Sequence, residues 1–121
     1  MPLYLLDTDH MTALFRGGTK RDALEVRLAQ IAPDDYGTSI ISYEEQIRGW
    51  LETLANVKKN VPKVFAYDEL NAIRLLYQRF AVWQYTSNAD AVVETWKANG
   101  VRIGTQDLRI AAIAVDRKSV V

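Results

Sequence analysis

Short apolar runs alternate along this chain with longer segments whose apolar residues have helical spacing, and this alternation most limits its possible folds. Strands are predicted at 3–6 (LYLL), 37–41 (GTSII), 81–85 (AVWQY), 101–104 (VRIG) and from 119 (SVV). Helices are predicted through about 15, over 19–32, from 42, around 70–80, over 89–98 and from 105. Strands that alternate with helices form parallel sheets with helices on both faces. The sequence therefore predicts an α/β fold with a mostly parallel central sheet.

The composition narrows the class of protein. The 121 residues contain no cysteine, no internal repeat and no Pro-, Gly- or Ser-rich linker, which favours one domain over residues 1–121 without disulfides. No apolar run approaches the ~20 residues of a membrane span, and no leader pattern precedes the first strand, so we expect a cytoplasmic protein. Because the net charge is zero, any polyanion must be bound locally. The candidate cations, each most simply interpreted as a solvated surface charge, are Arg16, Lys20, Arg21, Lys58, Lys59, Arg102 and Arg109.

Three acidic residues fall where predicted strands lead into helices. Asp7 follows the first strand, Glu45 falls in the predicted first turn after the second, and Asp107 in the first turn after VRIG. Taken singly, such acids usually cap helix N-termini, and Ser42-x-x-Glu45 has the form of a capping box. A parallel sheet, however, brings its strand ends into one cleft. Carboxylates so close repel unless a hard divalent cation such as Mg²⁺ or Mn²⁺ neutralises them.

Three motifs resemble the PIN domain of VapC-type toxins. They are LLDTDH at 5–10, ISYEEQIRG at 41–49 and RIGTQDLRIAAIA at 102–114. The resemblance implies a PIN-like three-layer domain and a Mg²⁺- or Mn²⁺-dependent endoribonuclease that hydrolyses RNA phosphodiester bonds. It also implies the toxin component of a type II toxin–antitoxin pair, with RNA as substrate, a cognate antitoxin as partner and a homodimeric assembly.

The resemblance also implies roles for individual residues. Asp7, Glu45 and Asp107 would be the catalytic, metal-binding acids. Glu45 is preferred to Glu44 because the acid of the family precedes a glycine by four residues, as Glu45 precedes Gly49.

Two auxiliary residues follow from the same motifs. Asp9 stands where many members have Asn and would be an additional ligand or a group that positions water. Thr105 matches the small hydroxyl residue ahead of the third acid and would hold a carboxylate or the scissile phosphate. His10 is the only histidine, and a lone histidine is more often a packing or capping residue than a general base.

The aromatic residues favour packing over RNA stacking. Trp50, Trp83 and Trp96 lie within apolar stripes or a strand, so we expect them in the core or at an interface. The stripes that contain Trp50, Tyr77 and Phe80 supply more large apolar groups than a domain of this size readily buries, which supports a homodimer.

The C-terminal motif differs from the family pattern. Members usually continue past SVV through a last strand into a turn with a fourth acidic residue, whereas this sequence ends at Val121. The resemblance thus implies an incomplete C-terminal strand. It leaves an alternative function: a catalytically weakened or inactive PIN module that acts mainly by binding its antitoxin.

Overall fold

The computed structural model describes residues 3–56 and 60–121, and there strands and helices alternate as the apolar pattern predicts. Lys58 and Lys59 lie outside the described residues. The elements are β1 (Leu3–Leu6), α1 (Thr8–Arg16), α2 (Thr19–Leu28), a 3₁₀ turn (Pro33–Asp35), β2 (Tyr36–Ser39), α3 (Ile40–Ala55), α4 (Lys63–Tyr77), β3 (Ala81–Trp83), α5 (Ser87–Ala98), α6 (Thr105–Asp116) and β4 (Ser119–Val120).

The described strands form one parallel sheet in the order β3-β2-β1-β4. Leu5 of β1 lies opposite Gly37 of β2, and Leu3 lies opposite Ser119 of β4. The carboxyl ends of β1 and β2 therefore share one edge, where α1 and α3 begin. The predicted α/β class and parallel sheet are confirmed, as is a strand that starts at 119.

Helices cover both faces of the sheet because adjacent strand residues point in opposite directions. Leu5 belongs to one buried cluster and Leu6 to the other. The first cluster comprises Leu5, Ile41, Trp83, Ala89, Val93, Ile110, Ala112, Ile113 and Ala114. The second comprises Leu6, Met11, Leu14, Leu28, Ile73, Tyr77 and Phe80. This is the predicted three-layer arrangement, with α5 and α6 on one face and α1 and α4 on the other.

A glycine in β2 lets an indole ring lie against the sheet. An ideal Cβ on Gly37 would lie 2.8 Å from Cε2 of Trp83 and 2.9 Å from the Ala81 carbonyl oxygen. Trp83 is only 5% exposed. Packing of the first buried cluster therefore requires glycine at position 37, and the expectation that Trp83 lies in the core is confirmed.

Strand β2 ends earlier than predicted, and the proposed capping box is wrong. Ser39 has extended backbone angles, and its Oγ accepts a hydrogen bond of 3.1 Å from the Ser42 backbone N–H. Ser39 is thus the N-cap of α3, and Ile40 and Ile41 are helical. Glu45 consequently lies in the second turn of the helix and not in the first.

The VRIG segment is a loop and not the predicted strand. Helix α5 ends as predicted at Asn99-Gly100: Gly100 has φ +81°, and the Val101 N–H donates to the Trp96 carbonyl oxygen at 3.0 Å. This bond from the second residue past the cap is the Schellman arrangement. Val101 and Ile103 are exposed, and β4 takes the place beside β1.

Three further predicted boundaries shift by a few residues. The helix predicted around 70–80 is Lys63–Tyr77, so Phe80 lies past its end. The helix predicted over 19–32 ends at Leu28, and Ala32 is extended, as the residue before a proline usually is. The strand predicted over 81–85 ends at Trp83.

The aromatic stripes expected to form a dimer interface are mostly covered by the chain itself. Tyr77 and Phe80 are 4% and 8% exposed, and Trp50 is half-buried with its ring edge-on to Phe65. They therefore do not supply the surplus apolar surface on which that expectation rested. None of the described helices combines the length and apolar character needed to cross a bilayer.

Candidate functional site

A cleft at the carboxyl edge of β1 and β2 brings together the predicted acids. It has a volume of about 320 Å³ and is lined by Asp7, Thr8, Asp9, Glu45, Asp107, Ile110, Ala111 and Val121. Three different helices supply the carboxylates, and the sheet fixes where two of those helices start. The strand-end argument therefore placed Asp7, Glu45 and Asp107 in one cleft, although Asp107 follows a loop and not a strand.

Asp7 both caps α1 and lines the cleft. Its Oδ1 accepts a hydrogen bond of 3.0 Å from the His10 backbone N–H, and its own backbone N–H donates to His10 Nδ1 at 3.1 Å. The two residues form a capping box, with histidine in the place where glutamate is usual. His10 is absent from the cleft lining and contributes to the cap, the structural role expected for it.

Glu45 has the most perturbed environment of the cleft acids. Its Oε1 is buried and has no hydrogen-bond partner among the described residues. Burial raises the pKa of the Glu45 carboxyl, and the Asp107 carboxylate raises it further, while the Thr8 hydroxyl and Arg48 lower it. A buried carboxylate oxygen without a partner is costly and calls for a cation or a proton.

The neighbouring Glu44 has the opposite environment. A hydrogen bond from Gln106 lowers the pKa of its carboxyl, and Arg48, which both hydrogen-bonds and ion-pairs with it, lowers it further. Glu44 is absent from the cleft lining. The structure therefore distinguishes the two adjacent acids: Glu45 faces the cleft, and Glu44 is neutralised at the surface.

Asp107 lies in the first turn of α6, where an acidic side chain interacts favourably with the N-terminal end of the helix dipole. The N-cap residue is Gly104, which provides no side-chain cap. Thr105 is the first residue of this helix and is exposed, but it does not line the cleft. Its proposed auxiliary role stays a prediction, whereas Asp9 lies in the cleft wall.

Beneath the cleft lies a set of buried hydroxyl groups that the sequence arguments missed. Ser42 Oγ accepts hydrogen bonds from Thr8 Oγ1 at 3.0 Å and from Ser39 Oγ at 3.3 Å, and both serines have 0% exposure. Thr38 Oγ1, also fully buried, donates to the Leu6 carbonyl oxygen at 2.9 Å. These bonds tie the start of α1 to the start of α3. The available signal was the pair of hydroxyl residues that ends β2, Thr38 and Ser39, together with Thr8 two residues after β1.

The donor set fits a hard divalent cation in its chemistry. Carboxylate oxygens are the ligands that Mg²⁺ and Mn²⁺ prefer, and the unpartnered Glu45 Oε1 beside Asp107 is a place where positive charge would be stabilised. Among residues 3–56 and 60–121, no three His, Cys, Asp or Glu side chains already form a group that could hold a metal ion. Binding therefore requires that cleft side chains rotate toward the cation.

Comparisons with known proteins give the fold. No protein-family model and no curated protein matches the sequence. Solved structures match nearly all of it: a DNA-bound VapBC from Salmonella typhimurium at 19% identity and TM-score 0.73, covering 100% of this chain and 85% of that chain. VapBC-1 from nontypeable Haemophilus influenzae matches at 24% identity and TM-score 0.71, covering 97% and 82%. FitAcB from Neisseria gonorrhoeae matches at 22% identity and TM-score 0.64, covering 97% and 84%. The chain therefore has the predicted PIN-like α/β fold.

Proposed function

We propose that the chain is a divalent-metal-dependent endoribonuclease and the toxin component of a type II toxin–antitoxin pair. The observation that carries the proposal is the buried, unpartnered Glu45 Oε1, in one cleft with the carboxylates of Asp7 and Asp107. Such a site costs stability unless a cation compensates it, and it is retained where function requires it. The fold shared with VapBC and FitAcB structures supports the toxin assignment.

Asp7, Glu45 and Asp107 would hold the cation, with Asp9 as the auxiliary ligand. When bound, Mg²⁺ or Mn²⁺ supplies an acidified water nucleophile and offsets negative charge on the phosphate oxygens. The chain itself fixes the geometry. The α1 cap holds one oxygen of Asp7, the Ser42–Thr8 bond holds α1 against α3, and the burial of Glu45 excludes bulk water from its inner oxygen.

The direct test is RNA cleavage by the purified chain with Mg²⁺ or Mn²⁺, compared with Asp7→Asn and Asp107→Asn. Both variants should lose cleavage but unfold at the same temperature as the unmodified chain or slightly above it, because removing a crowded carboxylate charge relieves repulsion. Asp34→Asn is the matched control, since Asp34 is exposed in the 3₁₀ turn away from the cleft. Unchanged cleavage by both cleft variants would refute the site. No cleavage by the unmodified chain with either metal would favour the alternative, an inactive module that acts by binding its antitoxin.

We also propose a homodimer, now through a different surface from the one first expected. Four large apolar side chains on α3 and α4 are at least half exposed, namely Leu51, Val64, Phe65 and Tyr67. Large apolar side chains left exposed on two packed helices are a candidate surface for a second copy to cover. Light scattering at tens of micromolar, on the order of ordinary assay concentrations, should give a dimer for the unmodified chain and a monomer for Phe65→Glu. A monomeric unmodified chain would contradict the proposal.

A further inference from the structure

The acid cleft continues into two neighbouring clefts along α1. It shares Thr8 and Glu45 with a cleft between α1 and α3, and it shares Asp9 with a third that runs from α1 to the start of α2. We call these three clefts together the α1 trough. A strand of polymer can therefore enter the acid cleft from either side without leaving the surface of α1.

Two cations line the flanks of the α1 trough. Arg16 lines both flanking clefts, and Lys20 lines the outer one. Within residues 3–56 and 60–121, neither side chain has an ion pair, whereas Arg21 pairs with Asp22 at 3.4 Å. Gly17 and Gly18, with φ of +78° and +90°, turn the chain so that α2 starts beside the end of α1.

The helix dipole accounts for a cation at position 16 but not for one at position 20. Arg16 lies in the last turn of α1, where a cation stabilises the helix. Lys20 lies in the first turn of α2, where the dipole disfavours a cation, and the N-cap Gly18 supplies no side-chain bond. Lys20 is thus unfavourable for the helix but lies beside a candidate site, and such positions are where function is expected to override stability.

The walls of the cleft between α1 and α3 have a second relevant property. Phe15 and Trp50 line it together with Arg16, and both aromatic side chains are only partly buried. Cations that track a backbone, combined with aromatic faces on which bases stack, are the usual means of holding a single nucleic-acid strand. Arginine binds phosphate through two parallel hydrogen bonds.

We propose that a single RNA strand lies along the α1 trough, with the phosphates next to the acid cleft held by Arg16 and Lys20 and a base held against Phe15 and Trp50. This inference deepens the proposed ribonuclease function and rests on it. The acids take one phosphate through their cation. The cations on α1 and α2 hold the phosphates that follow and set the position of the strand.

The test measures binding separately from cleavage. A fluorescein-labelled single-stranded RNA oligonucleotide is titrated, by anisotropy, with the full chain carrying Asp107→Asn, alone or with Arg16→Gln or Lys20→Gln. Arg16→Gln should weaken binding roughly tenfold. Each substitution should also reduce the slope of log affinity against log salt by about 0.7. Arg27→Gln, at the exposed far end of α2, is the matched control and should leave affinity and slope unchanged.

Three outcomes separate the ideas. Equal affinities and salt slopes for the Arg16→Gln and Arg27→Gln chains, or no RNA binding at all, would overturn the inference. If polyglutamate displaces the RNA and its own binding depends equally on Arg16, the α1 trough binds an acidic protein segment. That result would also overturn the inference. Arg16-dependent RNA binding by the Asp107→Asn chain, together with no RNA cleavage by the unmodified chain with either metal, would support the trough and refute the proposed nuclease function.

Discussion

The buried hydroxyl bonds beneath the acid cleft give a quantitative prediction. Ser42→Ala removes an acceptor that receives hydrogen bonds from Thr8 at 3.0 Å and Ser39 at 3.3 Å. A lost partner leaves a buried hydroxyl unsatisfied at about 1–3 kcal/mol. Because alanine also favours helix at this position by a few tenths, we expect the free energy of unfolding to fall by about 2 kcal/mol. At roughly 4 °C per kcal/mol for a domain of this size, Tm should fall by roughly 8 °C.

The assay is urea unfolding followed by tryptophan fluorescence, arranged as a double-mutant cycle. Thr8→Val removes the donor at nearly constant shape and should cost about 1 kcal/mol alone, because Thr8 is only half-buried. In a chain that already carries Ser42→Ala, Thr8→Val should cost about 1 kcal/mol less than it costs alone. Ser87→Ala, at an exposed position, is the control and should change stability by less than about 0.5 kcal/mol. Additive effects within about 0.3 kcal/mol would refute the claim that the Thr8–Ser42 bond couples α1 to α3.

Substitutions at four other residues test the packing and electrostatics around the cleft. Burial and Asp107 raise the pKa of Glu45 in the folded state, so ionisation of Glu45 lowers the stability of the fold as pH rises. In metal-free buffer, Glu45→Gln should therefore have the same Tm as the unmodified chain below the unfolded pKa of about 4.3. At pH 8 its Tm should be higher than that of the unmodified chain. Equal Tm at pH 8 would contradict this. Gly37→Ala should cost about 1–3 kcal/mol because its Cβ would meet the Trp83 ring. Gly49→Ala, in α3 with open space at Cβ, should stabilise by about 0.5–1 kcal/mol, and the reverse order in thermal melts would refute the packing argument. Asp7→Ala should lose about 1 kcal/mol through the α1 cap while Asp7→Asn keeps it, so similar unfolding curves for the two would exclude the capping role.

The type of an element was predictable wherever the spacing of its apolar residues agreed with the capping or turn residues at its ends. Leu3–Leu6 is a short apolar run that leads into aspartate, and α5 ends at an Asn-Gly pair; both were placed correctly. The sequence predicts Ile40 and Ile41 in a strand as the apolar end of the run GTSII. Their conformation is decided instead by Ser39, whose side chain caps the helix. The apolar pattern predicted the wrong end for β2 because it contains no information about the hydrogen bond that caps α3.

The candidate site was predictable in its members and not in its detail. Topology alone brings Asp7 and Glu45 to the same sheet edge, and the motif at 102–114 adds Asp107. The contrast between half-buried Glu45 and exposed Glu44 depends on how α3 is rotated about its axis. A helix start predicted at residue 42 and not at Ile40 leaves that rotation undefined. The Thr8–Ser42 bond links residues far apart in sequence, so the hydroxyl residues near the strand ends do not reveal it until β1 and β2 are paired.

The pairing of β1 with β4 has a consequence for synthesis on the ribosome. Leu3 is made long before its pairing partner Ser119, which lies 116 residues later in the chain. Contacts so distant in sequence carry a loop-closure cost and form late. Asp7 therefore emerges early yet has no Asp107 beside it until α6 has left the exit tunnel. A nascent chain therefore lacks the assembled acid cleft until α6 has been made and has packed against the sheet.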